Sequence, residues 1–250
     1  NLTDTVIVGK SLGVQALAAV GSTGAVNFLI IGFVMGVCNG FTIPVSQRFG
    51  AKDFSLMRKY VANILYLCIA FSVIMAVGTV IFCDPLMLAM ETPEDILVRA
   101  GDYIRIIFAG IPLTFLYNTT SGLIRALGDS KTPVFFLVLS SVLNIALDLI
   151  FILVFHWDVQ GAALATIISQ GVAGIACLFY MLKKFDIIKP KGDERKFNKK
   201  YCSVLCGVGV PMGLQYSITA IGSVILQASV NGLGSAAVAA VTAATRVSQF

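Results

Sequence analysis

Four residues with oxygen-bearing side chains stand inside long apolar stretches of this chain: Asp4, Asn144, Asp148 and Thr166. Asp148 is the most demanding of them. It lies between FLVLSSVLNIAL and LIFILVF, with no Lys or Arg within ten positions on either side. An ionisable group in such a setting costs roughly 2.5–3.5 kcal/mol to insert into a bilayer, so its presence needs a use. Asn144 precedes it by four residues and shares its helix face. Two carboxylates, an amide and a hydroxyl form a hard-oxygen set suited to Na⁺, and a desolvated carboxylate also takes up a proton, so the two ions would compete for one site. The alternative use is polar glue between helices.

The elements that must hold these residues are read from charge and hydropathy. Of the 250 residues 57% are hydrophobic and 12% charged, and mean hydropathy is +0.89. A soluble domain carries about 25% charged residues. Residues 11–47, 60–83, 106–124, 159–182 and 201–245 contain no Asp, Glu, Lys or Arg. Crossing a bilayer takes roughly 20 apolar residues, so the chain reads as an all-α polytopic membrane protein. Helices are expected at residues 1–9, 24–46, 60–82, 102–124, 133–155, 160–182, 203–230 and from 236 onward. Thr132-Pro133 and Thr92-Pro93-Glu94 read as helix starts capped by the threonines. Pro112 and Pro211 fall within spans, as kinks or hinges. Gly32, Gly36 and Gly40, spaced by four, predict close helix packing.

Alternating spans should sort the loops by charge, and they do. One side receives Arg48, Lys52, Arg58, Lys59, Arg125, Lys131 and the eight basic residues of 183–200; the other receives Lys10, Asp84, Glu91, Glu94, Asp95, Arg99, Asp102, His156 and Asp158. The basic side is expected to be cytoplasmic. The net charge of +5 equals the excess of eight basic over three acidic residues in 183–200, so it marks one loop and no nucleic-acid face. Arg105, three residues after Asp102, is expected to snorkel to the acidic side; Arg246 has no assigned place.

Counting inward from Asp158 at 1.5 Å per residue puts Asp148 and Thr166 at similar depths of about 12–15 Å, and Asp4 lies roughly 9 Å inside Lys10. The four oxygen-bearing residues are therefore expected to converge in the half of the bundle facing the acidic side. The polar or aromatic residues Gln47, Asn118, Gln170, Gln215 and Tyr216 are candidates for lining a substrate cavity, each with an ordinary packing role as the alternative.

Residues 8–28 also match the chain from 229 onward at an offset of 221, with Leu12, Gly13, Ala16, Ala18, Ala19, Val20 and Val26 repeated as Leu233, Gly234, Ala237, Ala239, Ala240, Val241 and Val247. Six spans lie within the offset, so the second copy enters the membrane in the same sense as the first, a plan used by transporters. The expected organisation is a first transmembrane lobe over 1–182, a basic linker over 183–200 and the start of a second lobe over 201–250. The chain opens on Asn1 and stops at Phe250 in an apolar stretch, and it is expected to be part of a longer protein. The six cysteines show no CxxC and read as packing residues. No catalytic constellation is present, so an enzyme is not expected.

The stretches DTVIVGKSLGVQALAAVG, SQRFGAKD, GLIRALGDSKTP, LNIALDLIFI and GAALATIISQ resemble the multidrug and toxic compound extrusion (MATE) family, in particular its prokaryotic DNA-damage-inducible F-like branch. The resemblance implies a twelve-helix protein of two six-helix lobes forming a V in the cell membrane, exporting organic cations and drugs in exchange for H⁺ or Na⁺. By motif position it also implies a cation site at Asp4, Asn144, Asp148 and Thr166. No cofactor beyond the coupling ion is expected; the expected partners are the lipid bilayer and the substrate, with the protein a monomer. A flippase or exporter of lipid-linked or other amphiphilic substrates is the alternative. The chain departs from the family pattern in Leu149, where proline is frequent, and in the absence of a carboxylate after Gly209-Val210-Pro211.

Overall fold

A computed structural model describes the backbone of residues 2–248 and the side chains of residues 6–245. Among these residues the fold is helical: α1 (Leu2–Leu12), α2 (Val14–Ser22), α3 (Gly24–Gly50), α4 (Phe54–Ile81), α5 (Cys83–Ala89), α6 (Glu94–Ala109), α7 (Ile111–Ala126), α8 (Lys131–Leu149), α9 (Val159–Lys184), α10 (Lys199–Asn231) and α11 (Ser235–Ser248). Among the described residues five helices are long and apolar enough to cross a membrane, namely α3, α4, α8 with its continuation to Val154, α9 and α10.

Three details depart from the expected spans. The apolar run from residue 11 is not a loop followed by one helix: Gly13 turns the chain at φ 87° and α2 forms before α3 begins. The span expected at 102–124 is two helices of 16 residues each, α6 and α7, meeting at Gly110. Pro112 sits in the first turn of α7, where its missing N–H costs nothing. Pro44 and Pro211 are instead absorbed within continuous helices.

The starts of α6 and α8 are also held differently from expectation. Thr92 does not cap α6, whose N-cap is Pro93. Thr132 lies inside α8, whose N-cap is Ser130, and it is Asp129 just before it whose Oδ1 accepts the Thr132 N–H at 3.1 Å. Asp129 Oδ2 also accepts hydrogen bonds from Thr132 Oγ1 at 2.8 Å, Tyr180 OH at 3.0 Å and Lys184 Nζ at 3.2 Å. These donors, the Thr132 N–H first, hold the Asp129 carboxyl far below the usual carboxylate range. The turn between α7 and α8 is thereby fastened to the end of α9.

Among the described residues, ion pairs join segments within each of the two expected faces. On the acidic face Arg99 pairs with Asp158 at 2.7 Å, and Arg105 with Asp84 and Asp102, as its place at the end of a span predicted. On the basic face residues 183–200 are strapped along α4. Arg58 Nε and Nη2 donate to the two carboxylate oxygens of Glu194 at 2.6 and 2.8 Å, and Ser55 Oγ donates to Glu194 Oε1 at 3.0 Å. Tyr66 OH donates to the Arg195 carbonyl at 3.0 Å, and Asn63 Oδ1 accepts the Asn198 N–H at 2.9 Å.

The Arg58 guanidinium holds the Glu194 carboxyl down at about 2, from an ordinary 4.5. A depressed carboxylate contributes stability that is complete above its unfolded value and lost as pH falls through the folded one, so the strap should hold from neutral pH to below 4. Replacing Glu194 by Gln should weaken it by about 1–2 kcal/mol, a factor of about 5–30 in the open population. Limited trypsin digestion of the full-length protein at Lys191, Arg195 and Lys196 should accelerate accordingly, since cleavage tracks the opened fraction. Unchanged digestion would mean the pair contributes nothing to the strap.

Candidate functional site

The apolar packing that builds the site is a small cluster near the acidic face. Val8 of α1, Ala16 of α2, Val159 and Ala162 of α9, and Ile152 just beyond α8 are all buried together. Small residues on α9 let α1 and α8 approach it, as the Gly161-Ala162-Ala163 sequence predicts. Residues Ile150–Val154 continue α8 as a π-helix, with Phe155 N–H reaching the Ile150 carbonyl at 3.1 Å. A wide turn of this kind is frequent beside functional sites. It follows directly on Asp148 and Leu149, so a helix irregularity occurs here without the proline. The rings of Phe151, Phe155 and Trp157 pack together beyond it, the composition of an interfacial aromatic belt.

Asp148 is fully buried and both of its carboxylate oxygens are shut off from solvent. Asn144, one turn earlier, is 2% exposed. Its Nδ2 donates to Thr166 Oγ1 at 3.5 Å, while Thr166 Oγ1 donates to the Ala162 carbonyl at 3.0 Å. Asn144 and Thr166 are thus brought together across α8 and α9, with Asp148 on the same face of α8. Asp4 lies on α1, which packs against α8 and α9; its side chain, like that of Arg246, is outside the described residues.

A cavity of about 190 Å³ opens beside Asn144 and Thr166. Asn118 and Gln170 line it, as do Thr114, Ser140, Ser141 and Ser169, with Ile31, Met35, Tyr117 and Leu137 forming its apolar part. Thr114 Oγ1 donates to Gln170 Oε1 at 2.9 Å, and Asn118 Nδ2 to the Thr114 carbonyl at 2.8 Å. The cavity therefore joins two of the predicted ion ligands to two of the predicted substrate-cavity residues. It contains amide and hydroxyl groups, and among the described residues no Lys or Arg lines it.

The other three cavity candidates stand apart from it. Gln47 is exposed near the basic end of α3. Gln215 and Tyr216 are exposed on α10, where Tyr216 Cβ would stand 3.7 Å from a Cβ added to Gly32 of α3. Polarity alone selected these three, and depth along the helix separates Gln47 from the site. Thr114, Ser140, Ser141 and Ser169 were not singled out from sequence. Each lies three or four positions from a residue that was, so extending the helical period from Asn118, Asn144 and Thr166 would have found them.

Comparison with known proteins agrees with this architecture. The chain is 33% identical over 92% of its length to "Probable multidrug resistance protein YpnP" of Bacillus subtilis (strain 168), covering 52% of that protein. It superposes with a TM-score of 0.92 on the inward-facing conformation of a multidrug resistance MATE family transporter of the MOP superfamily, at 27% identity over 100% of this chain and 57% of that one. On an outward-facing conformation of such a transporter the TM-score is 0.80, at 27% identity over 88% of this chain and 49% of that one. The chain thus spans about half the length of the relatives it matches. Since the family model MatE matches residues 1–150, on a helical scaffold that carries the motifs and the polar cavity described above, the chain belongs to the MatE family.

Proposed function

We propose that this chain supplies the first lobe, over 1–182, the linker, over 183–200, and the start of the second lobe, over 201–250, of a secondary active antiporter. The transporter exports organic cations or drugs in exchange for H⁺ or Na⁺ by alternating access. The single observation that carries the reading is a fully buried intramembrane carboxylate, Asp148, on the helix whose Asn144 lines a polar cavity. A charge held in that position at a cost needs a ligand that comes and goes, and a coupling ion is such a ligand. The names of the relatives, multidrug resistance and multidrug export proteins, support the substrate class.

Asp4, Asn144, Asp148 and Thr166 would coordinate the ion, and Asn118 and Gln170 would meet the substrate, with Gln47, Gln215 and Tyr216 contributing where the completed second lobe faces them. Coupling follows if ion binding lowers substrate affinity in one of two global states. The superposition on the inward-facing structure over the whole chain supports assigning this arrangement to the inward-facing state. The protein would act as a monomer in the cell membrane, with no cofactor beyond the ion and no nucleic-acid partner. A lipid-linked pyrophosphate substrate is less well supported, because the described residues that line the cavity include no cationic group.

The test is export of a fluorescent organic cation from proteoliposomes holding the full-length protein, under imposed pH or sodium gradients. Export driven by one gradient is expected and would name the ion. No movement of any cation under either gradient would overturn the reading.

A further inference from the structure

The sequence repeat and the fold coincide at a seam that the transport reading leaves unused. Under the offset of 221, Gly13 corresponds to Gly234, and both hold positive φ, 87° and 92°. The helices that follow start in the same register, α2 at Val14 and α11 at Ser235. These two equivalent helices pack against each other near the acidic face.

The seam is built from equivalent positions. Ala18 of α2 and its counterpart Ala239 of α11 are both buried, at 0% and 5% exposure. Three residues further on in each copy, a Cβ added to Gly21 would stand 1.9 Å from Thr242 Oγ1 and 2.8 Å from Thr242 Cβ. Gly21 and Thr242 are one position of the repeat, the first without a side chain and the second with one. Across a two-fold, a residue meets its own equivalent only on the axis. The threonine cannot easily turn aside, because it is β-branched and its hydroxyl donates to the Val238 carbonyl at 2.7 Å.

A second contact fastens the same region. Asn231, 2% exposed at the end of α10, donates from Nδ2 to the Met90 carbonyl at 2.9 Å and accepts from Gln227 Nε2 at 2.9 Å. Its repeat counterpart is the exposed Lys10, so this latch has no equivalent under the repeat.

We infer that Gly21 and Thr242 are the axial contact of the gate on the acidic face, where the missing side chain at 21 lets the two lobes close, and that Asn231 latches the closed gate. The inference rests on the alternating-access reading, in which this seam must part for the lobes to open toward the acidic face. Gly21 and Thr242 are positioning residues and touch neither ion nor substrate.

The test uses the full-length protein in nanodiscs with its native cysteines replaced and spin labels at Gln15 and Ala236, two exposed and equivalent positions. Gly21→Thr should raise the ratio of long to short label separations about tenfold, equivalent to about 1.4 kcal/mol. Adding Thr242→Gly, which exchanges the two residues across the axis, should return the ratio to that of the parent. Asn231→Ala should move the ratio in the same direction as Gly21→Thr. Unchanged separations in Gly21→Thr, or no recovery in the exchange variant, would overturn the axial assignment.

If Gly21→Thr does not fold, the pair Gly21→Cys and Thr242→Cys, without labels, is expected to cross-link under copper phenanthroline, and failure to cross-link would overturn the proposal. These readouts need no substrate. Absence of ion-driven export in the parent, with the seam behaving as described, would count against the antiport reading alone.

Discussion

Asp148→Asn in the full-length protein is expected to abolish ion-driven export while leaving thermal stability unchanged or raised. The two effects separate because the charge is costly where it stands. Asp148 is fully buried, with both carboxylate oxygens cut off from solvent, and an intramembrane aspartate costs roughly 2.5–3.5 kcal/mol on insertion scales. Asparagine preserves the shape and a carbonyl oxygen but removes both the negative charge and the proton-binding step. If the residue serves coupling, the substitution relieves a cost and deletes the ion's main ligand, the usual trade between stability and function. If it serves as glue between helices, the same change should lower stability by about 0.6–2 kcal/mol and leave coupling intact. Melting of the purified protein and gradient-driven export from the same preparation decide between them. A destabilised protein that still exports under the gradient would remove Asp148 from the ion site.

Much of this scaffold can be read along one dimension. Charge-free runs located the long spans, and loop charge sorted them onto two faces, because the bilayer imposes both patterns residue by residue. The breaks were harder to see. The charge-free run 11–47 is 37 residues long, about 55 Å of helix, which exceeds a hydrocarbon core of about 30 Å and signals that it cannot be one straight crossing. The break itself depends on Gly13 and Thr23, two ordinary residues whose backbone angles the composition does not announce. The break at Gly110 has a local signal, Gly-Ile-Pro, whose Pro112 is equally compatible with a kink or a hinge inside one helix.

The site divides in the same way. Counting inward from Asp158 matches Asp148 with Thr166, since two helices leaving one turn keep equal depth, whereas the side chain that meets Thr166 is that of Asn144, one turn further in. The cavity hydroxyls could not be recognised so directly. Ser169 donates to its own helix at the Thr166 carbonyl, so its type is compatible with any helix interior, and its role depends on α7 lying opposite. The Gly21–Thr242 contact needed both sources, since the repeat identifies equivalent positions and only the fold brings them together.

Alanine at Gly36 or Gly40 should cost far more than alanine at Gly78, and with opposite sign. All three glycines are in helix interiors, so intrinsic propensity alone would favour alanine at each by roughly 0.8–1 kcal/mol. Packing reverses this where α3 crosses α10. A Cβ on Gly36 would stand 2.6 Å from the Met212 carbonyl oxygen and 2.7 Å from Gly213 Cα, and one on Gly40 would stand 2.5 Å from Gly209 Cα. These neighbours are backbone, so neither can rotate away, and the facing glycines are themselves filled by Phe33, Val37 and Phe41. Relief requires the two helices to separate, an overpacking cost of about 1–3 kcal/mol that outweighs the propensity gain. A Cβ on Gly78 of α4 would meet nothing within 4 Å, so the gain stands there alone. Melting of the full-length variants should fall for Gly36→Ala and Gly40→Ala and rise for Gly78→Ala. Under the proposed lobe division, in which α3 belongs to the first lobe and α10 opens the second, loosening this crossing should also disturb transport, whereas Gly78→Ala should leave it unchanged. Equal shifts at all three positions would mean that the α3–α10 approach is not as close as 2.5 Å implies.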